Sequence, residues 1–201
     1  MTATYDELMS RPTLKTFVAA VLPPVIIGVL GIAHPPHLTQ DASLLWRNLH
    51  VVLLPILPLL AWGPWLVAKS IDERWGWIAF VLGWVYASFY TALDVLAGIG
   101  AGGLKHEGEG GLGVLFSLAG SLGEIGSIAF IGASAVAAGC VSRIAGWKAL
   151  PGSVIVLAGA FGFRAEHVYW PGGVLSMFAL AIGWALLIGA ARTRIEVVAH
   201  H

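Results

Sequence analysis

The sequence predicts an all-α, polytopic integral membrane protein: a helical bundle of six transmembrane helices with both termini cytoplasmic. Three observations carry this. Hydrophobic residues make up 58% of the 201 residues and charged residues only 11%, where a soluble domain carries about 25% charged residues. The mean hydropathy is +0.84. Apolar stretches near the length that spans a bilayer, about 20 residues at a rise of ~1.5 Å each, recur along the whole chain. Residues 1–201 therefore read as a single transmembrane domain.

Composition excludes several classes. Disorder needs low hydrophobicity and high charge. A nucleic-acid partner needs a basic footprint, and here 11 basic residues balance 11 acidic ones. The single Cys140 excludes a disulfide framework and any CxxC redox or metal motif.

The expected spans run over residues 16–33, 44–68, 77–99, 112–141, 150–169 and 173–191. The first follows Arg11 and Lys15 and ends in Gly31-Ile32-Ala33, a pattern shared with cleaved signal peptides. Pro23-Pro24 interrupts the run and its length suffices to cross, so it reads as an uncleaved helix. Pro55, Pro58 and Pro64 predict a kink in the second span. The fourth exceeds a perpendicular crossing and should tilt. The fifth needs residues 164–169 to cross at all.

Basic residues set the orientation. With the N-terminus inside, the cytoplasmic segments hold Arg11, Lys15, Lys69, Arg74, Arg143, Lys148, Arg192 and Arg194; the outer ones hold Arg47, Lys105 and Arg164. That asymmetry is the positive-inside pattern of a bacterial-type plasma membrane protein. Trp46 and Trp170 fall at the outer boundary and Trp62, Trp65, Trp75, Trp77 and Trp147 at the inner one, as an aromatic belt. Trp84 and Trp184 lie deeper and read as packing residues.

The Gly-rich stretch 98–113 reads as a flexible outer loop. In the fourth span Gly113, Ser117 and Ser121 recur every four residues, a small-residue face that places this helix at the bundle centre or in contact with another chain. Partners follow: the lipid bilayer, and a homo-oligomer or larger membrane complex through that Gly/Ser-rich helix.

Two acids fall inside spans. Asp94 is expected ~8 Å deep and Glu124 ~18 Å deep, counting ~1.5 Å per residue. Acids at such depth face the bundle interior and are functional candidates. Glu124 shares a face with Ser117 and Ser121, and Asp94 with Tyr90 and Thr91. No basic residue is expected at matching depth, so neither acid gains an ion pair from the sequence.

Of seven histidines, His34, His37, His50, His106 and His167 all map to the outer boundary. Imidazole is the commonest metal ligand and can hold haem iron. Ligands on one zinc ion lie ~3–4 Å apart, so His34 and His37, flanking Pro35-Pro36, share an ion only across a sharp turn. One of them with His50, His167 and an acid among Asp41, Asp94 and Glu166 makes the more economical set. No HExxH, HxxxH, CxxCH or GxSxG motif supports it.

The leading functional reading is an outward-facing polar pocket that binds a transition metal or haem, with His34, His37, His50, His167 and Asp94 as ligand candidates. The alternatives are a proton-linked carrier or channel, with His50, Asp94 and Glu124 as relay, and a non-catalytic subunit of a larger complex. Arg164, in the last turn of the fifth span, is a candidate contact for an anion or lipid head group. His200-His201 receive no role. Residues 2–12 read as a short interfacial helix. No catalytic residue is assigned.

Overall fold

The computed structural model describes the backbone of residues 12–199 and the side chains of residues 12–193. The interfacial helix expected over 2–12 and the His200-His201 pair fall outside the described residues, apart from Pro12. The described chain is helical throughout: α1 (Leu14–Gly31), α2 (Ser43–Leu53), a 3₁₀ turn (Leu57–Ala61), α3 (Trp62–Lys69), α4 (Glu73–Leu93), a π-helical segment (Asp94–Gly100), α5 (Ala101–Glu107), α6 (Leu112–Ala145), a 3₁₀ turn (Gly146–Ala149), α7 (Leu150–Glu166) and α8 (Gly172–Ala199).

Four continuous helical stretches are long and apolar enough to cross a membrane, five if α2 and α3 with their intervening turn count as one bent crossing. The stretch from Leu112 to Glu166 folds back on itself at Gly146, whose φ of +59° favours glycine. As a result Ser142 and Ser153 meet at 3.4 Å near the turn. Arg164 of α7 lies against Glu124 of α6, 40 residues earlier.

Local sequence sets the ends of several elements. Thr13 caps α1 through its hydroxyl. The Asp72 carboxylate accepts from the Arg74 amide at 2.9 Å and so opens α4. Gly108 and Gly111, at φ +75° and +87°, close the tight turn from α5 into α6. Pro55 and Pro58 lack the amide hydrogens that α2 would need to continue. The chain breaks there and the two halves diverge by 42°. Tyr86 of α4 donates to the Leu57 carbonyl at 2.9 Å inside the break. Pro23-Pro24, by contrast, sit within a continuous α1.

Small residues govern close packing, as expected where lipid supplies no hydrophobic drive. A Cβ on Gly183 of α8 would lie 2.7 Å from the Val156 amide of α7. Trp184, Tyr86, Phe130 and Phe163 fill the centre with almost no exposure.

Three expectations need correction. Residues 98–107 are helix and not a loop, because their glycines admit α2 at close range and packing outweighs weak glycine propensity. The Gly113–Ser117–Ser121 face of α6 is exposed in the single chain, and the face packed within the bundle carries Ala119, Gly123, Gly126 and Ser127. Trp84 is 63% exposed, whereas Trp184 is the buried packing residue. Trp46 is not an interfacial anchor, since it is buried and its indole N–H donates to the Ala97 carbonyl at 2.9 Å.

Candidate metal centre

Two connections, one helix end and one irregular turn bring chemistry to one end of the bundle. His34 follows α1 where Pro35-Pro36 stop the helix. His50 sits in the last turn of α2. Asp94 opens the π-helical segment, a wide turn of a kind often found at functional sites. His167 ends α7 at φ +52° and ψ −127°. That is a left-handed conformation costing a non-glycine residue about 1–3 kcal/mol. The backbone there suits glycine; the side chain present is an imidazole.

One ring nitrogen from each of His34, His50 and His167 lies within 4.8 Å of the other two. His34 Nε2 and His50 Nε2 are 3.4 Å apart. His34 Nδ1 lies 2.8 Å from the Pro35 carbonyl, and His50 Nδ1 lies 2.7 Å from the Trp46 carbonyl. A carbonyl only accepts, so each Nδ1 carries the hydrogen. In neutral rings both Nε2 atoms therefore present lone pairs to each other. Two facing lone pairs repel unless a cation lies between them. A separation of 3.4 Å equals the edge of a tetrahedron of nitrogens ~2.1 Å from a central zinc ion.

Asp94 sharpens the requirement. It is fully buried, and neither carboxylate oxygen has a hydrogen-bond partner among the described residues. Its Oδ1 lies 3.9 Å from His50 Nε2. Burying an ionised carboxylate without a partner costs several kcal/mol, so the position calls for a proton or a metal ion. A single proton can join two of these acceptors. A metal ion can join all of them.

The surroundings hold the rings in place. His34 meets the rings of Trp46 and Tyr169 edge-on at 4.8 and 4.7 Å between centroids. Tyr90 Oη lies 2.6 Å from His167 Nδ1. Burial lowers the His34 pKa to about 4, partly offset by its bond to the Pro35 carbonyl. His34 is therefore neutral near pH 7, the form in which imidazole ligates metal.

His37, the other histidine candidate, is exposed and stands apart from this cluster. His106 turns toward α2, 3.4 Å from the Ser43 hydroxyl. Asp41 and Glu166 are exposed. Glu124, expected unpaired, holds a salt bridge to Arg164, whose Nε also lies 3.2 Å from Glu124 Oε1. The fold-back of α7 on α6 supplies the basic partner that span-by-span depth counting missed. Among the described residues the Glu124 side chain is thus bonded to Arg164, and it makes no hydrogen bond to His50 or Asp94. A cavity of about 300 Å³ joins the two regions, lined by His50 and His167 at one side and by Glu124 and Arg164 at the other.

Trp46 and Tyr169 also belong to this centre, beyond the residues the sequence nominates. Trp46 carried a signal, since it lies four residues before His50 on one helical face. Tyr169 carried none, because it reaches the site across a connection. Comparison with protein-family models, curated proteins and solved structures gives no match to this chain.

Proposed function

We propose that this chain is a membrane protein of six crossings that binds a divalent transition metal, zinc being the best fit, through His34, His50, His167 and Asp94 on the outer side. The carrying observation is the 3.4 Å approach of two Nε2 atoms whose Nδ1 hydrogens are both committed to carbonyls. The buried, unpartnered Asp94 beside them supports the same reading. Three nitrogens and a carboxylate oxygen form a donor set suited to zinc. Haem fits less well, because the His34 ring is closely packed by Trp46, His50 and Tyr169.

Counting α6 and α7 as separate crossings, and α2 with α3 as one, makes six. Arg192 Nε donates to the Pro12 carbonyl at 2.8 Å, so the two ends of the described chain meet. Under this reading Lys15, Lys69, Arg74, Arg143, Lys148 and Arg192 fall at the end opposite the histidines. That distribution supports cytoplasmic termini and an outward-facing centre.

When bound, the ion would supply Lewis-acid polarisation or an activated water. His34, His50 and His167 would hold it through the nitrogens left free by their partners, with Tyr90 accepting from His167 Nδ1. Such outer partners fix ring orientation, and their loss typically costs 10–100-fold in metal affinity. Tyr90→Phe should therefore weaken zinc binding about tenfold or more in competition with a chelating dye while leaving the helical signal unchanged. Equal affinities would remove Tyr90 from the centre.

Elemental analysis of protein purified in detergent provides the direct test. Wild type should carry one zinc per chain after loading and desalting, and His50→Ala should carry none. Loading that is absent in wild type, or unchanged in His50→Ala, overturns the proposal.

A further inference from the structure

We infer that the cavity beside the metal centre binds a small carboxylate with an apolar tail, its carboxylate held by Arg164 in place of Glu124. This deepens the metal-centre reading by naming a ligand class for the same site.

Arg164 and Glu124 come from different helices and face one another across the cavity wall. Their side chains are 39% and 48% exposed, so neither is locked in place by burial. Both side chains reach the surface of the bundle, so exchanging one carboxylate for another on the guanidinium requires no repacking of the core. Guanidinium binds carboxylates through matched pairs of N–H donors. Glu124 Oε1 already accepts from both Nε and an Nη of Arg164. Its carboxylate thus occupies the place where an incoming carboxylate would sit.

The rest of the cavity selects what else the ligand carries. Trp46, Leu93, Ala97 and Phe116 line it with apolar surface, while His50 and His167 open it to the centre. A ligand seated there meets the guanidinium at one point and hydrocarbon or aromatic surface elsewhere. A volume of about 300 Å³ admits a short aliphatic acid.

The two halves of the ion pair should act in opposite directions, which a generic structural role would not produce. The test is equilibrium dialysis of labelled butyrate and acetate against zinc-loaded protein in nanodiscs, with empty nanodiscs as background. Butyrate should bind saturably at one site per chain. It should bind about fifteenfold tighter than acetate, because each of its two additional methylenes contributes roughly fourfold when buried. Arg164→Gln should weaken butyrate binding at least tenfold. Glu124→Gln, which frees the guanidinium, should strengthen it several-fold, and that gain should vanish in the double variant. Uptake no greater than that of empty nanodiscs, an unaltered affinity in Arg164→Gln, or weaker binding in Glu124→Gln would each overturn the inference. Zinc content measured on the same samples separates the two readings. Zinc-loaded protein without saturable butyrate binding removes this site alone. Zinc-free protein that binds butyrate with the stated variant pattern upholds this site and removes the metal centre.

Discussion

Gly98→Ala should strip the protein of its metal without touching a ligand. A Cβ at residue 98 would fall 2.2 Å from Cγ and Cδ2 of the His50 ring and 2.6 Å from His50 Cβ. Contacts that short force something to move, and the neighbours leave little room. Trp46, one turn before His50, is tied to the Ala97 carbonyl at 2.9 Å. The Arg47 backbone already presses on Gly102, where a Cβ would meet it at 3.0–3.1 Å. Either α2 lifts off the π-helical segment, or His50 rotates away from His34. Both outcomes part the two Nε2 atoms. Overpacking of this severity costs about 1–3 kcal/mol or more. Gly103→Ala provides the control, because its nearest contact would be Arg47 Cδ at 4.0 Å. Zinc stoichiometry and thermal unfolding of both variants, side by side, check the claim. Indistinguishable behaviour of the two would show that Gly98 does not seat His50.

That glycine also marks where sequence reasoning loses its hold. Residues 98–113 are rich in glycine, and composition alone makes such a stretch flexible. Gly98 and Gly102 in fact recur one turn apart and open a groove for α2. Residues 98–107 therefore continue as helix, and only the turn at Gly108 and Gly111 follows the compositional reading. The apolar stretches were legible because bilayer thickness imposes a length on each of them. So was the break in the second stretch, since Pro55 and Pro58 cannot donate to a continuing helix. The convergence of His34, His50 and His167 was legible only through topology. An even number of reversals brings their connections to one end, and no local motif encodes the contact. Long-range pairs such as Arg164 with Glu124, and Tyr90 with His167, depend on how helices rotate against each other. Depth counted along isolated spans carries no information about that rotation. The exposed Gly113–Ser117–Ser121 face makes the complementary point. A small-residue stripe permits close packing, but which of two such stripes is used depends on neighbours the stripe does not name.

Replacing Asp94 by asparagine should reverse the stability order of wild type and variant according to whether zinc is present. Without metal, wild type buries a carboxylate completely with neither oxygen hydrogen-bonded. An amide of nearly the same shape also lacks partners there, but at a pH of about 9, where the carboxyl is ionised, a neutral unpaired group costs only about 1–3 kcal/mol where an unpaired charge costs several. Metal-free Asp94→Asn should therefore unfold at a higher temperature than metal-free wild type, by an advantage of about 1 kcal/mol or more. With metal the balance changes sign. The carboxylate is the only negative donor in the set, and its loss should weaken zinc binding at least about a hundredfold, beyond the range seen for outer partners. At a zinc concentration of about 100 times the wild-type dissociation constant, wild type gains ~2.7 kcal/mol by linkage. The variant, a hundredfold weaker, gains only ~0.4 kcal/mol under the same conditions. Wild type should then be the more stable of the two. Thermal unfolding of both proteins with chelator and with zinc measures all four values. A variant less stable than wild type in chelator would mean that Asp94 has a stabilising partner in the metal-free protein. Equal zinc-induced gains would place the carboxylate outside the coordination sphere and leave a site built of imidazoles alone.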